Sequence, residues 1–201
     1  MNQPKVEIKD VEKIFDLVRH SSEGSLSNLL GLTESDVSSA NLSSGSDLSY
    51  DHWVCCIVVA FKEMSISFTI HFMSKTARGL ASLGMSKSAD QLSPKSCHDF
   101  IREYSNVTAG KIKSALQGCD FSVENLRDMM LPLQEPSYDM GTIQEQTEGH
   151  WLHHWLLDVK DIGEVICSAK VEVTDTGFVD KLQNLDQTTV TIDDEGDIDF
   201  F

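Results

Sequence analysis

Apolar residues recur along this chain in two rhythms. Ile8, Val11, Ile14, Phe15 and Val18 make one stripe at helical spacing, so residues 8–19 read as a helix. Eleven serines then fall between Ser21 and Ser49, together with Gly24, Gly31 and Gly45. Leu26, Leu29, Leu30 and Leu32 allow a short helix there, and the rest of the stretch reads as loop. Residues 53–61 are β-rich and almost wholly apolar, the pattern of a central strand. After a turn at Lys62 to Met64, Ile66, Phe68, Ile70 and Phe72 alternate with Ser65, Ser67, Thr69 and His71. That period of two is a strand with one buried face, and the pair predicts an antiparallel hairpin.

A short helix is expected over residues 74–83, stopped by Gly84. Ser93 and Pro94 stand as N-cap and first residue of a longer helix that runs to about Leu116 and ends at Gly118. Residues 123–130 suggest another helix before Pro132 and Pro136 break the chain. Residues 134–149 read as loop, with an edge strand possible at 142–146. Residues 151–159 and 165–173 are two further strands joined by a turn at 160–163, and residues 175–185 have helical character. No repeat of fixed period is visible. This order predicts an α+β domain with helices packed on an antiparallel sheet. The domain is expected over residues 1–175, with 21–50 as a Ser-rich loop insertion and 176–201 as an acidic C-terminal extension.

Composition narrows the function. The chain has 201 residues, 40% of them hydrophobic, enough for a core. Its net charge is −16, which repels phosphate backbones and argues against generic nucleic-acid binding. The longest apolar run, Val54 to Phe61, is far short of the roughly 20 residues a membrane-spanning helix needs. Lys5, Glu7, Lys9 and Asp10 at the start do not suit a signal peptide. The cysteines, Cys55, Cys56, Cys97, Cys119 and Cys167, are odd in number and form no C-x-x-C pair. Reduced thiols in a cytoplasmic protein are the simplest expectation.

The long helix carries the candidate chemistry. At about 100° per residue, Phe100, Tyr104, Val107, Thr108 and Ala115 share one side, with Ile101 and Ile112 at its edge. Asp99, Glu103, Asn106, Gly110, Lys113 and Gln117 cluster on the other. Glu103 and Asn106 are thus neighbours on an exposed face. A mid-helix glycine costs about 1 kcal/mol relative to alanine, so Gly110 suggests that something outside the chain approaches closely there. Residues 86–118 hold Lys87, Lys95, Arg102, Lys111 and Lys113 against Asp90, Asp99 and Glu103, a net +2 in an acidic chain. This region suits an acidic partner.

The pattern Asp99-x-x-x-Glu103-x-x-Asn106, followed by Ala109-Gly110 and Lys113, resembles the signature helix of the CheC/CheX phosphatases of bacterial chemotaxis. The proline that follows the family's motif by some twenty residues would be Pro132, slightly late. The element order resembles the family from about Lys5 to Val173. CheC-like members carry two such helices and CheX-like members one. Here the N-terminal helix offers only Ser21, Ser25 and Asn28 at that spacing and lacks the Glu, so the resemblance points to a single CheX-like site. The Ser-rich stretch and the tail depart from a minimal member.

The resemblance implies hydrolysis of the aspartyl phosphate of a CheY-type response regulator, which ends the chemotaxis signal. The regulator brings the phosphoaspartate, a Mg²⁺ and a lysine, and this chain needs no cofactor of its own. Asn106 would place the attacking water, a task suited to an uncharged carboxamide. Glu103 would pair with the partner's lysine, a better role for a surface carboxylate than general base. Asp99, Gly110 and Lys113 would contact the partner, with Asp99 either a flanking contact or a charge at the helix start. A homodimer through the sheet edges is implied as well. A silent adaptor of the same fold, binding a receiver or flagellar-switch protein, is the alternative.

Three other features carry less. His150, His153 and His154 give a weak zinc signal, because on a strand only His150 and His154 share a face. Trp151, His153 and Trp155 are expected to fill the other. Adjacent Cys55 and Cys56 read as buried strand residues. The tail is acidic at five of the seven positions 193–199 and ends in Phe200-Phe201. It reads as a solubilising segment or as a docking peptide similar to that of CheZ-type phosphatases.

Overall fold

The computed structural model describes residues 6–42, 53–122, 129–130, 150–175, 177–182 and 185. Helix α1 spans Ile8–Leu30, strand β1 Val37–Leu42, β2 Trp53–Ala60 and β3 Met64–Phe72. Helix α2 spans Ser74–Gly84 and α3 Pro94–Gln117. Strands β4 (Met129–Met130), β5 (His150–Val159) and β6 (Gly163–Val173) and a short α4 (Phe178–Leu182) complete it. The strands form one antiparallel sheet in the order β1-β5-β6-β3-β2-β4.

That order contains a hidden repeat. A helix followed by three strands occurs twice, as α1-β1-β2-β3 and α3-β4-β5-β6, and the sheet reads equivalently from either edge with the halves exchanged. Each half lends its first strand to the other: β1 pairs with β5, and β4 with β2. The long-range pairing of β3 with β6 joins the halves at the centre.

The two predicted hairpins form as read, β2 with β3 and β5 with β6. β2 is not central, however; it lies next to the edge, outside β3. Its apolar run reflects Cys55, Ile57 and Val59 buried beneath the helices and half-buried Cys56, Val58 and Ala60 on the opposite face. Met129–Met130, expected in a helix, pair with Val58 and Ile57 as an edge bridge. The rest of that helix, the possible strand at 142–146, Pro132 and the tail 187–201 lie outside the described residues.

The Ser-rich stretch departs most from expectation. It is not a loop through 21–30, because α1 continues to Leu30, and β1 occupies 37–42. Serine disfavours helix interiors because its hydroxyl competes for backbone groups. Here Ser22 and Ser27 turn that competition inward, donating to the carbonyls of Arg19 at 2.7 Å and Glu23 at 3.0 Å. Ser22 also accepts from the indole N–H of buried Trp155 at 3.2 Å. Leu26 and Leu30 prolong the apolar stripe. The helix starts at a capping box between Glu7 and Asp10 and stops at Gly31, whose φ is 63°.

The core lies between the helices and one face of the sheet. Phe68 sits at its middle, stacked on Trp155 and met edge-on by Tyr104, both at 6.1 Å between centroids. Gly84 does not stop α2 but is its last residue. An added Cβ there would lie 2.4 Å from Phe100 Cε2 and 3.0 Å from the Leu29 carbonyl oxygen. Its role is close packing of three helices. Gly84→Ala is therefore expected to destabilise the protein by about 1–3 kcal/mol through overpacking. A urea midpoint equal to the wild type would refute that reading.

Candidate functional site

Helix α3 begins where Ser93 accepts a hydrogen bond from the Ser96 amide at 3.1 Å, with Pro94 in the first turn. Its buried side is centred on Ile101, Tyr104, Thr108 and Ile112, all at 0% exposure, flanked by Cys97, Ser105, Ala109 and Leu116. Ile101 and Ile112 are thus the middle of the buried side and not its edge, while Val107 and Ala115 are half-buried. Thr108 satisfies its hydroxyl on the Tyr104 carbonyl at 2.9 Å. His98 packs 4.8 Å from the Trp53 ring and 6.0 Å from Phe72, tying the start of α3 to the β2–β3 hairpin.

This anchoring turns the other side outward. Asp99, Asn106, Gly110 and Gln117 are exposed and Glu103 and Lys113 half-exposed, so the predicted face forms as one surface. Among the described residues, no side chain hydrogen-bonds or ion-pairs with Glu103 or Asn106. An added Cβ on Gly110 would meet nothing within 4 Å, so no packing within the described protein requires glycine there.

Asp99 differs from expectation in two ways. It lies in the second turn, too far in to act as a charge on the helix terminus. Its carboxylate is also engaged by the Arg102 guanidinium at 2.7 Å. Arg102 contributes to the net charge of this region and also stands at i,i+3 spacing from Asp99, the sequence signal for the pair.

The equivalent face of α1 is disabled. Ser25, at the position matching Glu103, is at 0% exposure, and Ser21 is buried. Asn28 is exposed, but its amide is used locally: suitably oriented, it donates to the Gly24 carbonyl and accepts from Lys111 Nζ, both at 3.3 Å.

The remaining candidates are structural. His153 stacks on Phe15 at 5.2 Å and lies 3.3 Å from the Asn41 side-chain oxygen, while His150 faces Glu172 at 3.8 Å on the other side of β5. Among the described residues no cluster of three His, Cys, Asp or Glu could hold a metal. Cys55 is fully buried, Cys56 partly, and burial pushes the Cys55 thiol up to about 11, the opposite of a reactive thiolate. No described helix is long and apolar enough to cross a membrane. A hollow of about 640 Å³ lies between Leu32, Leu83 and Ile162, and it includes neither Glu103 nor Asn106. The face of α3 is a convex surface, suited to a macromolecular partner more than to a small ligand.

Residues 54–131 match the family model described as chemotaxis phosphatase CheX, a span that contains the whole candidate face. No curated protein matches the chain by sequence. Several solved structures share its fold. Chemotaxis protein CheX from Vibrio vulnificus aligns at 14% identity and TM-score 0.60, over 79% of this chain and 99% of that one. The CheX-CheY-BeF3-Mg²⁺ complex from Borrelia burgdorferi aligns at 14% and 0.57, over 79% and 97%. The FliM-SpeE complex from H. pylori aligns at 8% and 0.55, over 92% and 100%. At such identities the likeness is one of fold.

Two outcomes follow. Gly110→Ala is expected to stabilise the protein by up to about 1 kcal/mol, measured by urea unfolding, because the helix gains propensity and nothing clashes. Burial holds His154 below the ordinary imidazole range, aided by His153, and burial together with Arg19 does the same for His153. The unfolded chain therefore takes up protons first as the pH falls through about 6.5. Stability is complete above that pH and declines below it. The urea midpoint should be lower at pH 5.5 than at 7.5, with a smaller difference in His154→Leu; equal midpoints would contradict this.

Proposed function

This chain carries a CheX-family segment, residues 54–131, within the CheC/CheX fold, and we propose on that premise that it is a phosphatase of a phosphorylated CheY-type receiver domain. The observation that carries this is the pairing of Glu103 and Asn106 on the outward face of α3, with exposed Gly110 one turn beyond.

An acyl phosphate is intrinsically labile, so the task is to position a nucleophile more than to supply new chemistry. Asn106 holds a water in line with the phosphorus. Water oxygen bonds to phosphorus as the bond to the aspartyl oxygen breaks, releasing inorganic phosphate and the aspartate carboxylate. The Mg²⁺ belongs to the receiver and is held by the receiver's own groups. Glu103 pairs with the receiver's lysine and sets the register of docking. Gly110 lets the two surfaces close, and Lys113 meets acidic groups at the rim.

The wider setting follows the same reading. Five free cysteines suit a cytoplasmic protein. The edge strand β1, Val37–Leu42, carries no charged residue or proline to block pairing, so a homodimer through this edge fits the fold. We assign residues up to about 175 to the phosphatase domain together with α4, whose Phe178 and Leu182 are buried in its core, and those beyond Leu182 to an extension.

The fold shared with the FliM-SpeE structure favours one second reading, in which the same face docks a receiver or switch protein without hydrolysis. The two separate at Asn106. The wild type is expected to accelerate phosphate loss from a phosphorylated CheY-type receiver, and Asn106→Ala to lose about 100-fold of that acceleration while still binding. Binding by the wild type without acceleration would establish the adaptor instead.

A further inference from the structure

The outward face of α3 is electrically divided. Taking Asp99 as its meridian, Glu103 lies about 40° to one side, while Asn106 lies about 20° and Arg102 about 60° to the other. Lys95 and Lys113 fall on the side of Arg102. The water-positioning carboxamide therefore stands between a carboxylate and a cationic flank. Arg102 is one turn before Asn106, and helical side chains lean toward the N-terminus. The Asn106 amide consequently leans over the turn that carries Arg102.

Arg102 is also held. Its guanidinium donates to Asp99 Oδ1 at 2.7 Å, and its side chain is 37% exposed. A guanidinium has five donors in a planar fork, and the bond to Asp99 uses one. An isolated exposed pair of this kind contributes little to stability, so its value lies in orienting the fork.

We propose that Arg102 binds the phosphoryl group of the docked receiver and thereby distinguishes the phosphorylated from the unphosphorylated partner, with Asp99 as its positioning residue. This rests on the receiver-docking reading of the face. The cationic flank takes the anionic phosphoryl while Glu103 takes the receiver's lysine, which fixes the direction in which the receiver lies across α3.

The test measures dissociation constants of the full chain for a CheY-type receiver with and without BeF₃⁻ and Mg²⁺, BeF₃⁻ on the receiver's aspartate standing in for the phosphoryl group. Arg102→Ala is expected to weaken binding of the BeF₃⁻-bound receiver about 10-fold and to leave binding of the bare receiver unchanged. Asp99→Asn should weaken it by a smaller factor in the same selective way, which loss of a merely structural ion pair would not do. Equal loss toward both receiver forms would place Arg102 on the protein rim and overturn the proposal, as would no loss toward either. A wild type that binds neither form would overturn the docking reading itself and the Arg102 assignment with it. Thermal unfolding of both variants confirms that each remains folded.

Discussion

One constraint organises this molecule: α3 has to bury Ile101, Tyr104, Thr108 and Ile112 completely. Tyr104 meets Phe68 and His98 meets Trp53 and Phe72, so the helix is located on its axis as well as along it. Rotating it by one residue would drive Asp99, Glu103 or Asn106 toward an apolar layer, at the cost of burying unpaired polar groups. The direction of the candidate site is thus a consequence of the core. No contact among the described residues holds Glu103 or Asn106, because the helix does.

Two similar halves exchange their first strands, β1 pairing with β5 and β4 with β2. β3 and β6 are central and flanked on both sides, and α1 and α3 lie over opposite halves of the same sheet. The two halves are alike in plan and unlike in chemistry. α3 presents a carboxylate and a free carboxamide. On α1 the first position is a buried serine and the carboxamide is tied to Lys111 and a main-chain carbonyl. Architecture by itself confers no site.

Gly84 and Gly110 show how one residue type serves opposite ends. At Gly84 a methyl group would collide with Phe100 and the Leu29 carbonyl, so the glycine belongs to the core. At Gly110 a methyl group would meet open space, so the glycine weakens the helix without any packing return within the described protein. Arg102 and Asp99 add a held guanidinium on the same face.

Much of this was legible in the residues. Apolar β-rich runs separated by turns, with clear period-two alternation at Ile66 to Phe72, indicated both hairpins, Ser93-Pro94 determined the start of α3, and its 3.6-residue rhythm put Glu103, Asn106 and Gly110 outside, because local periodicity reports directly which face meets the core. Long-range facts were not legible. α1 continues through Ser21 to Leu30 against the local preference of serine, with Leu26 and Leu30 buried in the core and Ser22 engaged by Trp155, some 130 residues away. The place of β2 near the edge, and the β4 bridge where a helix was expected, follow from pairings that alternation cannot encode, since a strand's period does not name its neighbours. Gly84 as a contact and not a stop was decided by distances that only the assembled helices create, because the atoms it meets, Phe100 and the Leu29 carbonyl, belong to α3 and α1.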